Sequence, residues 1–400
     1  MAGRRPELAD VFREHGTEFL DTSGYPVPLE QRRVMRDIIR CRTAALGGHR
    51  QRCDHCGYED ISYNSCRNRH CPKCQASSRA EWLEKEAENL IDVPYFHVVF
   101  TLPEAVGPLA LQNQREVYGA LFSAASDTLS TIARDPKHLG GELGYLMVLH
   151  TWGQTLLHHP HLHCVVAGGG VSPDGSRWIP CRDGFFLPVR VLSRLFRGKF
   201  IALLKKSYEK GNLKFFGDLS ALEDRQCWNL FLTSLWEREW VVYSKPPFGG
   251  AKQVLKYLAR YTHRVAISNS RILSISNGKI RFLWKDYAHG SKQKVMELSS
   301  SEFIRRFLLH VLPPGFVRIR HYGFLANRLR KKALEQVRAL IGQSSSDTAE
   351  PLIPLAGDSS VIEKVDDPCL CPRCKKGHMV FVGEIRPGIE PGKTKAFDSS

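Results

Sequence analysis

The first part of the chain places apolar and polar residues at the spacing of amphipathic helices. From Leu8 to about Ala45 apolar residues recur every three or four positions, and the turn-forming stretch 23–26 interrupts the pattern. A similar pattern runs over 79–91 and ends before Pro94. We therefore predict two short helices in the first stretch and a third helix ahead of the next unit.

The middle of the chain combines strand and helix patterns. Residues 95–103 are rich in aromatic and β-branched side chains, which predicts a central strand. A helical pattern follows over 114–133, and two further strands end at His150 and at the glycine run 168–170. This order predicts an antiparallel sheet covered by helices, an α+β fold.

Later segments extend this pattern. Helices are predicted over 189–208, 222–236, 251–264 and 300–309, with an edge strand over 240–243 and a hairpin about the Asn277-Gly278 turn pair. After Ile341 the composition changes to Ser, Asp, Pro and Gly, which indicates a linker.

The charge indicates the class of partner. A formal net charge of +16 predicts a polyanionic partner, and nucleic acid is the first candidate because Lys and Arg neutralise phosphates. No run of about eighteen apolar residues is present to span a bilayer. The polar start of the sequence has no signal-peptide core. We expect a cytoplasmic protein without a membrane partner.

The twelve cysteines cluster in Cys-x-x-Cys pairs, which favours thiolate metal ligation in a reducing compartment over disulfides. Cys53, Cys56, Cys71 and Cys74 form two such pairs at a spacing that fits a tetrahedral structural zinc site. Surrounding arginines indicate that this unit also contacts DNA. Four neighbours leave a second ion or an exchange of ligands open: Cys41, His49, Cys66 and His70.

A further cysteine group follows the linker. Cys371 and Cys374 form half a zinc ribbon, or a complete one if Cys369 and His378 contribute. We divide the chain into N-terminal helices with a zinc-binding domain, a main domain, and a linker with a cysteine-rich tail: 1–92, 93–342 and 343–400.

The strand pattern over 158–166 contains four histidines. Alternate side chains of a strand share a face, so His161 and His163 point one way while Leu162 and Cys164 point into the core. Two imidazoles in this arrangement can hold one divalent ion.

A third ligand is available from the preceding strand. A hairpin folded near 156–157 places His150 opposite His163, at the short distance of directly paired residues. The alternative interpretation is a pair of partly buried strand histidines without a metal.

The helix over 251–264 is the second chemical candidate. Tyr257 and Tyr261 lie one turn apart on one face, with Lys and Arg side chains beside them. Such a pair is also typical of core or interface packing. The flanking cations favour a phosphate-binding site in which a tyrosine acts as nucleophile.

Basic residues are also concentrated over 303–340, where nine Lys or Arg accompany one acid, Glu335. Part of this run can be a solvated helix face. The aromatic residues interleaved over 318–324 favour a surface for phosphates and stacked bases. The predicted DNA contacts are Lys252, Lys256, Arg260, Arg264, Arg305, Arg306, Arg318 and Arg320.

Together these motifs resemble the HUH-type rolling-circle transposases of bacterial insertion sequences, specifically the two-tyrosine insertion-sequence ninety-one group with an N-terminal zinc-binding domain. The resemblance extends from about Cys41 to Leu329. Five segments carry it: 63–74, 100–103, 159–163, 257–261 and 303–307.

The resemblance implies a ferredoxin-like antiparallel sheet with covering helices, the HUH endonuclease fold, over 93–342. The histidine strand would be central and the tyrosine helix would lie beside it. The third metal ligand would be His150, as in relaxases of the same superfamily, or Gln154, because its single-strand transposases use an amide.

The resemblance also implies a mechanism. Mg²⁺ or Mn²⁺ at the histidines would polarise the scissile phosphate. Tyr257 or Tyr261 would attack it, leaving a 3′-hydroxyl and a 5′-phosphotyrosine, so that joining needs no ATP. The implied partner is single-stranded DNA at the element ends and the target, and the implied location is the bacterial nucleoid.

Two other functions stay open. A rolling-circle replication initiator or relaxase would use the same chemistry. A non-catalytic, zinc-dependent DNA-binding regulator would explain the charge and the cysteines, but neither the histidine strand nor the tyrosine helix. The sequence contains no Gly-x-x-x-x-Gly-Lys loop and no run of carboxylates suited to a two-metal site, which disfavours ATP-driven and two-metal mechanisms.

Overall fold

The structure is a computed structural model. It describes residues 4–182, 187–248, 254, 264–287, 289–328, 330–346 and 369–388. Within these ranges, none of the helices has the length and apolar character needed to cross a bilayer.

The described helices range from 6 to 21 residues in length. They are α1 (Leu8–Thr22), α2 (Leu29–Arg40), α3 (Pro72–Ala87), α4 (Gly107–Gln112), α5 (Gln114–Arg134), α6 (Val189–Glu209), α7 (Arg225–Trp236), α8 (Ser300–Leu308) and α9 (Arg330–Ser346).

The described strands pair antiparallel throughout. They are β1 (Gly48–Cys53), β2 (Glu59–Tyr63), β3 (Tyr95–Thr101), β4 (Glu142–Trp152), β5 (His158–Val171), β6 (Trp178–Pro180), β7 (Val242–Phe248), β8 (Ile272–Ser276), β9 (Lys279–Asp286), β10 (Lys292–Ser299), β11 (Ile319–Gly323) and β12 (Met379–Ile385).

Local sequence determines where several helices begin. The Asp224 carboxylate accepts hydrogen bonds from two backbone amides, so α7 begins at Arg225, three residues later than predicted. The Ser299 hydroxyl caps α8 in the same way. Pro72 occupies the first turn of α3, where a missing N–H has no cost, so this helix begins seven residues before the predicted Arg79.

The largest sheet has the strand order β11-β4-β5-β3-β7, and β6 pairs with β5. One face packs against α5 and α6. Leu162, Cys164 and Val166 of β5 point to this side and share a core with Leu121 of α5 and Phe196 of α6. The predicted α+β fold with an antiparallel sheet and covering helices is confirmed.

The opposite face of this sheet is only partly covered by α9. Val165 and Ala167 of β5 pack there against Leu334 and Val337. Because side chains alternate along a strand, the same face carries the histidines toward the start of β5.

The second sheet has the order β10-β9-β8 and contains the predicted hairpin. Asn277 and Gly278 have φ angles of 51° and 69°, the left-handed pair that a two-residue hairpin turn requires. This sheet shares a core with α1, α2 and α8, in which the rings of Phe12 and Phe307 are 5.5 Å apart. The first helices therefore pack against residues of the predicted main domain, and the boundary at residue 92 stays a prediction.

The third sheet joins the β1–β2 hairpin to a strand close to the end of the described chain. Its order is β12-β1-β2, and β12 pairs antiparallel with β1 from Gly48↔Ile385 to Cys53↔Met379. The predicted domain boundaries place these strands in separate units. In the structure they form one sheet.

Candidate metal centres

Three histidines of β4 and β5 meet on the face of the central sheet away from α5 and α6. His161 and His163 share this face, as their spacing predicts. One ring nitrogen from each of His150, His161 and His163 lies within 4.8 Å of the other two. The Nε2 atoms of His161 and His163 are 3.1 Å apart. The three imidazoles can supply three ligands to one ion.

The β4–β5 hairpin turns earlier than predicted. The Gly153 N–H donates to the Leu157 carbonyl at 3.0 Å, so His150 pairs with His161 and not with His163. His150 still reaches the cluster, because its ring centroid lies 4.5 Å from that of His163.

Gln154, the alternative third ligand, is bound elsewhere. Its side-chain Oε1 accepts a hydrogen bond from the Lys285 backbone N–H at 3.4 Å, and its carbonyl accepts one from Arg271 at 2.5 Å. The geometry therefore favours His150 as the third ligand.

Hydrogen bonds orient two of the three rings. His161 Nδ1 lies 2.7 Å from the His159 carbonyl oxygen, and His163 Nδ1 lies 2.9 Å from Nε2 of His97 on β3. With a proton on each Nδ1, both Nε2 lone pairs face the centre of the cluster. His97 is not among the site residues predicted from the sequence. Its only signal is a histidine within the otherwise apolar strand 95–101.

The environment keeps these rings neutral. Burial lowers the pKa of His161 to about 4 and the pKa of His97 to about 3, and it holds the pKa of His163 well below the usual value. The charge of Arg264 lowers the pKa of His161 and of His163 further. Neutral imidazole is the metal-binding form, so the cluster can bind a divalent ion at neutral pH.

Most of the predicted tyrosine helix lies outside the described residues, including Tyr257, Tyr261, Lys252, Lys256 and Arg260. Residues near its two ends are described. Val254 is buried in the core that contains Val148 and Val165, on the histidine-bearing face of the sheet. Arg264 interacts electrostatically with His161 and His163 on the same face.

Among the other predicted DNA contacts, Arg318 is buried. Its guanidinium donates to Gln75 Oε1 at 2.8 Å and to the Arg264 carbonyl at 3.1 Å. Burial lowers its pKa to about 10. Arg318 therefore fixes the backbone at Arg264. Its buried guanidinium is bonded within the protein, whereas a contact with DNA was predicted.

The remaining three arginines also have partners within the chain. Arg305 and Arg306 both bind Glu302, and Arg306 donates to the Thr155 carbonyl in the β4–β5 turn. The guanidinium of Arg320 lies 4.0 Å from the ring centroid of Phe122. Contacts of these arginines with DNA stay a prediction.

The cysteines form two clusters of four, and the predicted set Cys53, Cys56, Cys71 and Cys74 is wrong as a single site. One cluster combines the end of α2 with the loop before α3 and its first turn: Cys41, Cys66, Cys71 and Cys74. The other combines the last residue of β1 and the turn after it with the segment before β12: Cys53, Cys56, Cys371 and Cys374. The prediction failed because the β1–β2 hairpin separates the two Cys-x-x-Cys pairs, and β12 brings a third pair next to the first.

Of the four neighbouring candidates, the two cysteines join a cluster and the two histidines do not. Cys41 and Cys66 are ligand candidates, with their sulfurs each 3.5 Å from that of Cys74. His49 packs its ring against Phe381, and His70 Nε2 accepts a hydrogen bond from the backbone N–H of Leu312.

Comparison with known proteins identifies the family. Residues 144–333 match the family described as "Putative transposase", and residues 11–102 match "Transposase zinc-binding domain". The protein "Putative transposase y4qJ" of Sinorhizobium fredii (strain NBRC 101917 / NGR234) is 54% identical over 401 residues, which cover 100% of both chains. The chain belongs to the insertion-sequence ninety-one (IS91) transposase family.

A second relative is more distant. The "Transposase for insertion sequence element IS801" of Pseudomonas savastanoi pv. phaseolicola is 28% identical over 307 residues, covering 75% of this chain and 71% of that protein. No solved structure matches the chain. For this transposase, the matched zinc-binding domain and the cysteine clusters support zinc as a structural ion.

Proposed function

We propose that this transposase cleaves and rejoins single DNA strands through a 5′-phosphotyrosine intermediate during rolling-circle transposition. The observation that carries the proposal is the group of three imidazoles on one face of the central sheet, with ligand atoms within 4.8 Å of one another. A structural zinc site alone would not require this cluster.

A divalent ion at His150, His161 and His163 would act as a Lewis acid on the scissile phosphate. The donor set fits such an ion, since three neutral nitrogen ligands leave coordination positions for phosphate oxygens. Imidazole ligands favour Mn²⁺ over Mg²⁺, which prefers oxygen ligands. His97 and the His159 carbonyl hold two of the rings with Nε2 facing the ion position.

We propose Tyr257 and Tyr261 as the nucleophiles. Support comes from the residues on either side: Val254 packs on the histidine-bearing face, and Arg264 interacts with His161 and His163. A helix between these points has the reach to present a phenol at the metal site, and Lys252, Lys256 and Arg260 would bind the DNA backbone.

The chemistry follows from the residue types. The phenolate oxygen forms a bond to phosphorus, and the bond from phosphorus to the 3′-oxygen breaks, so the leaving oxygen becomes a 3′-hydroxyl. The phosphodiester energy is kept in the phosphotyrosine. A second 3′-hydroxyl can reverse the step on another strand, and a pair of tyrosines allows cleavage at one element end and strand transfer at the other within one active site.

The strand order is consistent with the HUH fold, because the histidine strand β5 lies between β4 and β3 near the middle of the sheet. A replication initiator or relaxase would share these features, and the family membership favours the transposase. Single-stranded DNA at element ends and target, and residence at the nucleoid, belong to this proposal.

The test uses a single-stranded oligonucleotide from the DNA flanking the gene, labelled at its 3′ end, with Mn²⁺ present. We expect a covalent protein–DNA band on a denaturing gel for the wild type. Tyr257→Phe combined with Tyr261→Phe should abolish it, because neither phenol oxygen remains to attack phosphorus. Tyr287→Phe, a change at an exposed tyrosine just after β9, serves as the matched control.

A band that persists in the double variant would refute the tyrosine assignment. Wild-type protein that binds the strand without cutting it would support the regulator instead.

A further inference from the structure

The cluster Cys53, Cys56, Cys371 and Cys374 joins two segments more than 300 residues apart in sequence. We propose that it binds a second structural zinc ion, which fastens the C-terminal segment to the N-terminal zinc-binding domain. The matched zinc-binding domain ends at residue 102 and includes only half of this cluster.

The sulfur positions fit a tetrahedral ion. Sγ of Cys53 lies 3.7 Å from Sγ of Cys374, and Sγ of Cys56 lies 3.8 Å from Sγ of Cys371. Four sulfurs at about 2.3 Å from a central zinc lie about 3.8 Å from one another. A disulfide requires about 2.05 Å between sulfurs, so these distances correspond to thiolates around an ion.

Each segment contributes a knuckle of the same geometry. The residue after the second cysteine has a left-handed backbone in both, with φ of 68° at Gly57 and 55° at Lys375. The Gly57 N–H donates to the Cys53 carbonyl at 3.1 Å, and the Lys375 N–H donates to the Cys371 carbonyl at 3.0 Å. A backbone N–H also points to one sulfur in each knuckle, from Cys56 to Cys53 Sγ and from Gly377 to Cys374 Sγ, both at 3.4 Å. Such bonds orient metal-binding sulfurs and stabilise their negative charge.

The two knuckles dock closely. The Asp54 N–H donates to the His378 carbonyl at 3.1 Å, and the His378 N–H donates to Asp54 Oδ1 at 2.8 Å. A Cβ atom on Gly377 would overlap Asp54 and His55 and would lie 2.7 Å from Cys53 Sγ. The fit therefore requires glycine at this position.

Hydrophobic burial contributes little to holding β12. Its side chains Val380, Phe381 and Val382 are 49%, 57% and 46% exposed. A small unit without a core of its own depends on metal ligation for its structure. The second zinc ion supplies the interaction that the exposed strand lacks.

The number of zinc ions bound per purified chain tests this proposal directly. All proteins are purified with a reductant and carry His161→Ala and His163→Ala. The histidine cluster then does not contribute to the number of zinc ions bound per chain. We expect two zinc ions per chain, one for each cysteine cluster. Cys371→Ser with Cys374→Ser should leave one, whereas Cys181→Ser with Cys227→Ser, at cysteines outside both clusters, should leave two.

A second pair of variants leaves every ligand intact. Gly377→Ala should lose the second ion because the added methyl group separates the knuckles. Gly383→Ala should keep it, since a Cβ there meets no atom within 4 Å. A content of two zinc ions in Cys371→Ser with Cys374→Ser, or of one in the protein with all cysteines present, would overturn the proposal.

Proteolytic cleavage of the chain tests whether zinc links the two segments. It can be used even where a substitution impairs folding. A protease site is inserted after Gly357, and the cleaved protein is separated by size. With zinc bound, the C-terminal fragment should elute with the remainder, and a zinc chelator should release it. A fragment that separates while two zinc ions remain bound, or that stays attached after complete zinc removal, would contradict the proposal.

Discussion

Different interactions hold the ligands of the histidine cluster and of the second cysteine cluster. The second cysteine cluster consists of Cys53, Cys56, Cys371 and Cys374. His161 and His163 alternate along β5 with Leu162 and Cys164, which are completely buried in the main core. The sheet therefore fixes these imidazoles before any ion binds, an arrangement suited to an ion that must be positioned for chemistry.

The second cysteine cluster has no comparable support. Cys53 ends β1 and the other three ligands lie in short turns, and the strand that carries one pair to the other is largely exposed. The ion must form the structure there. Loss of metal should thus leave the fold of the histidine site intact, and should unfold the structure around the cysteines.

The largest expected effect comes from the histidines. His161→Ala with His163→Ala should lower metal-dependent cleavage by about 10³-fold, because metal polarisation of a phosphate contributes several kcal/mol to the transition state. The melting temperature should fall less than in the cysteine variant described next, because the sheet holds both positions in place without a metal ion. Cleavage is followed with the 3′-labelled oligonucleotide, and unfolding by circular dichroism.

The contrasting variant, in the second cysteine cluster, is Cys53→Ser with Cys56→Ser. It should lose one zinc ion and lower the melting temperature, because two of four ligands disappear from a unit that the metal holds together. Unfolding of the histidine variant, or unchanged stability of the cysteine variant, would break the comparison.

A smaller effect is expected at His97, which lies outside the group of three candidate ligands and has its ring nitrogen 2.9 Å from that of His163. His97→Ala should weaken Mn²⁺ binding by about 10- to 100-fold, because the His163 ring loses the partner that orients it. Titration calorimetry measures the affinity. His97→Gln, which offers a side-chain acceptor, should recover part of it.

His289→Ala is the matched control for this experiment, since that histidine is exposed and binds Asp286 of the second sheet. Equal Mn²⁺ affinities for the wild type and His97→Ala would show that His163 needs no such partner.

The smallest effect concerns pH. Burial lowers the pKa of His310 to about 3, while the same group titrates near 6.5 in an unfolded chain. Between these values the unfolded state binds more protons, so the free energy of unfolding falls as the pH falls, by at most about 1.4 kcal/mol per pH unit for this group. Urea unfolding at pH 6.5 and 5.5 measures the loss.

In His310→Gln the loss between the two pH values should be smaller than in the wild type. Zinc release and other titrations affect both proteins, so the difference between them isolates His310. Identical losses would mean that His310 is protonated in the folded protein.

Local patterns determined what could be predicted. The two-residue period of a strand was sufficient to place His161 and His163 on one face, and the apolar spacing predicted α5 to within one residue. Both depend on residues close together in the sequence.

Contacts between segments that are distant in the sequence could not be predicted from such local patterns. His97 reaches His163 only because β3 lies beside β5, and Cys53 meets Cys374 only because β12 pairs with β1. Strand order results from the packing of the whole chain. The spacing of cysteines can therefore indicate zinc without revealing which pairs share an ion.

The pairing of β1 with β12 also bears on how the protein is made. The ribosome adds roughly 5 to 20 residues per second, so β1 leaves it about 15 to 65 s before its partner strand is synthesised. During that interval one edge of β1 has no strand to pair with, and the N-terminal sheet can be completed only after release of nearly the whole polypeptide. Translation thus delays the last folding step of a region that was synthesised first.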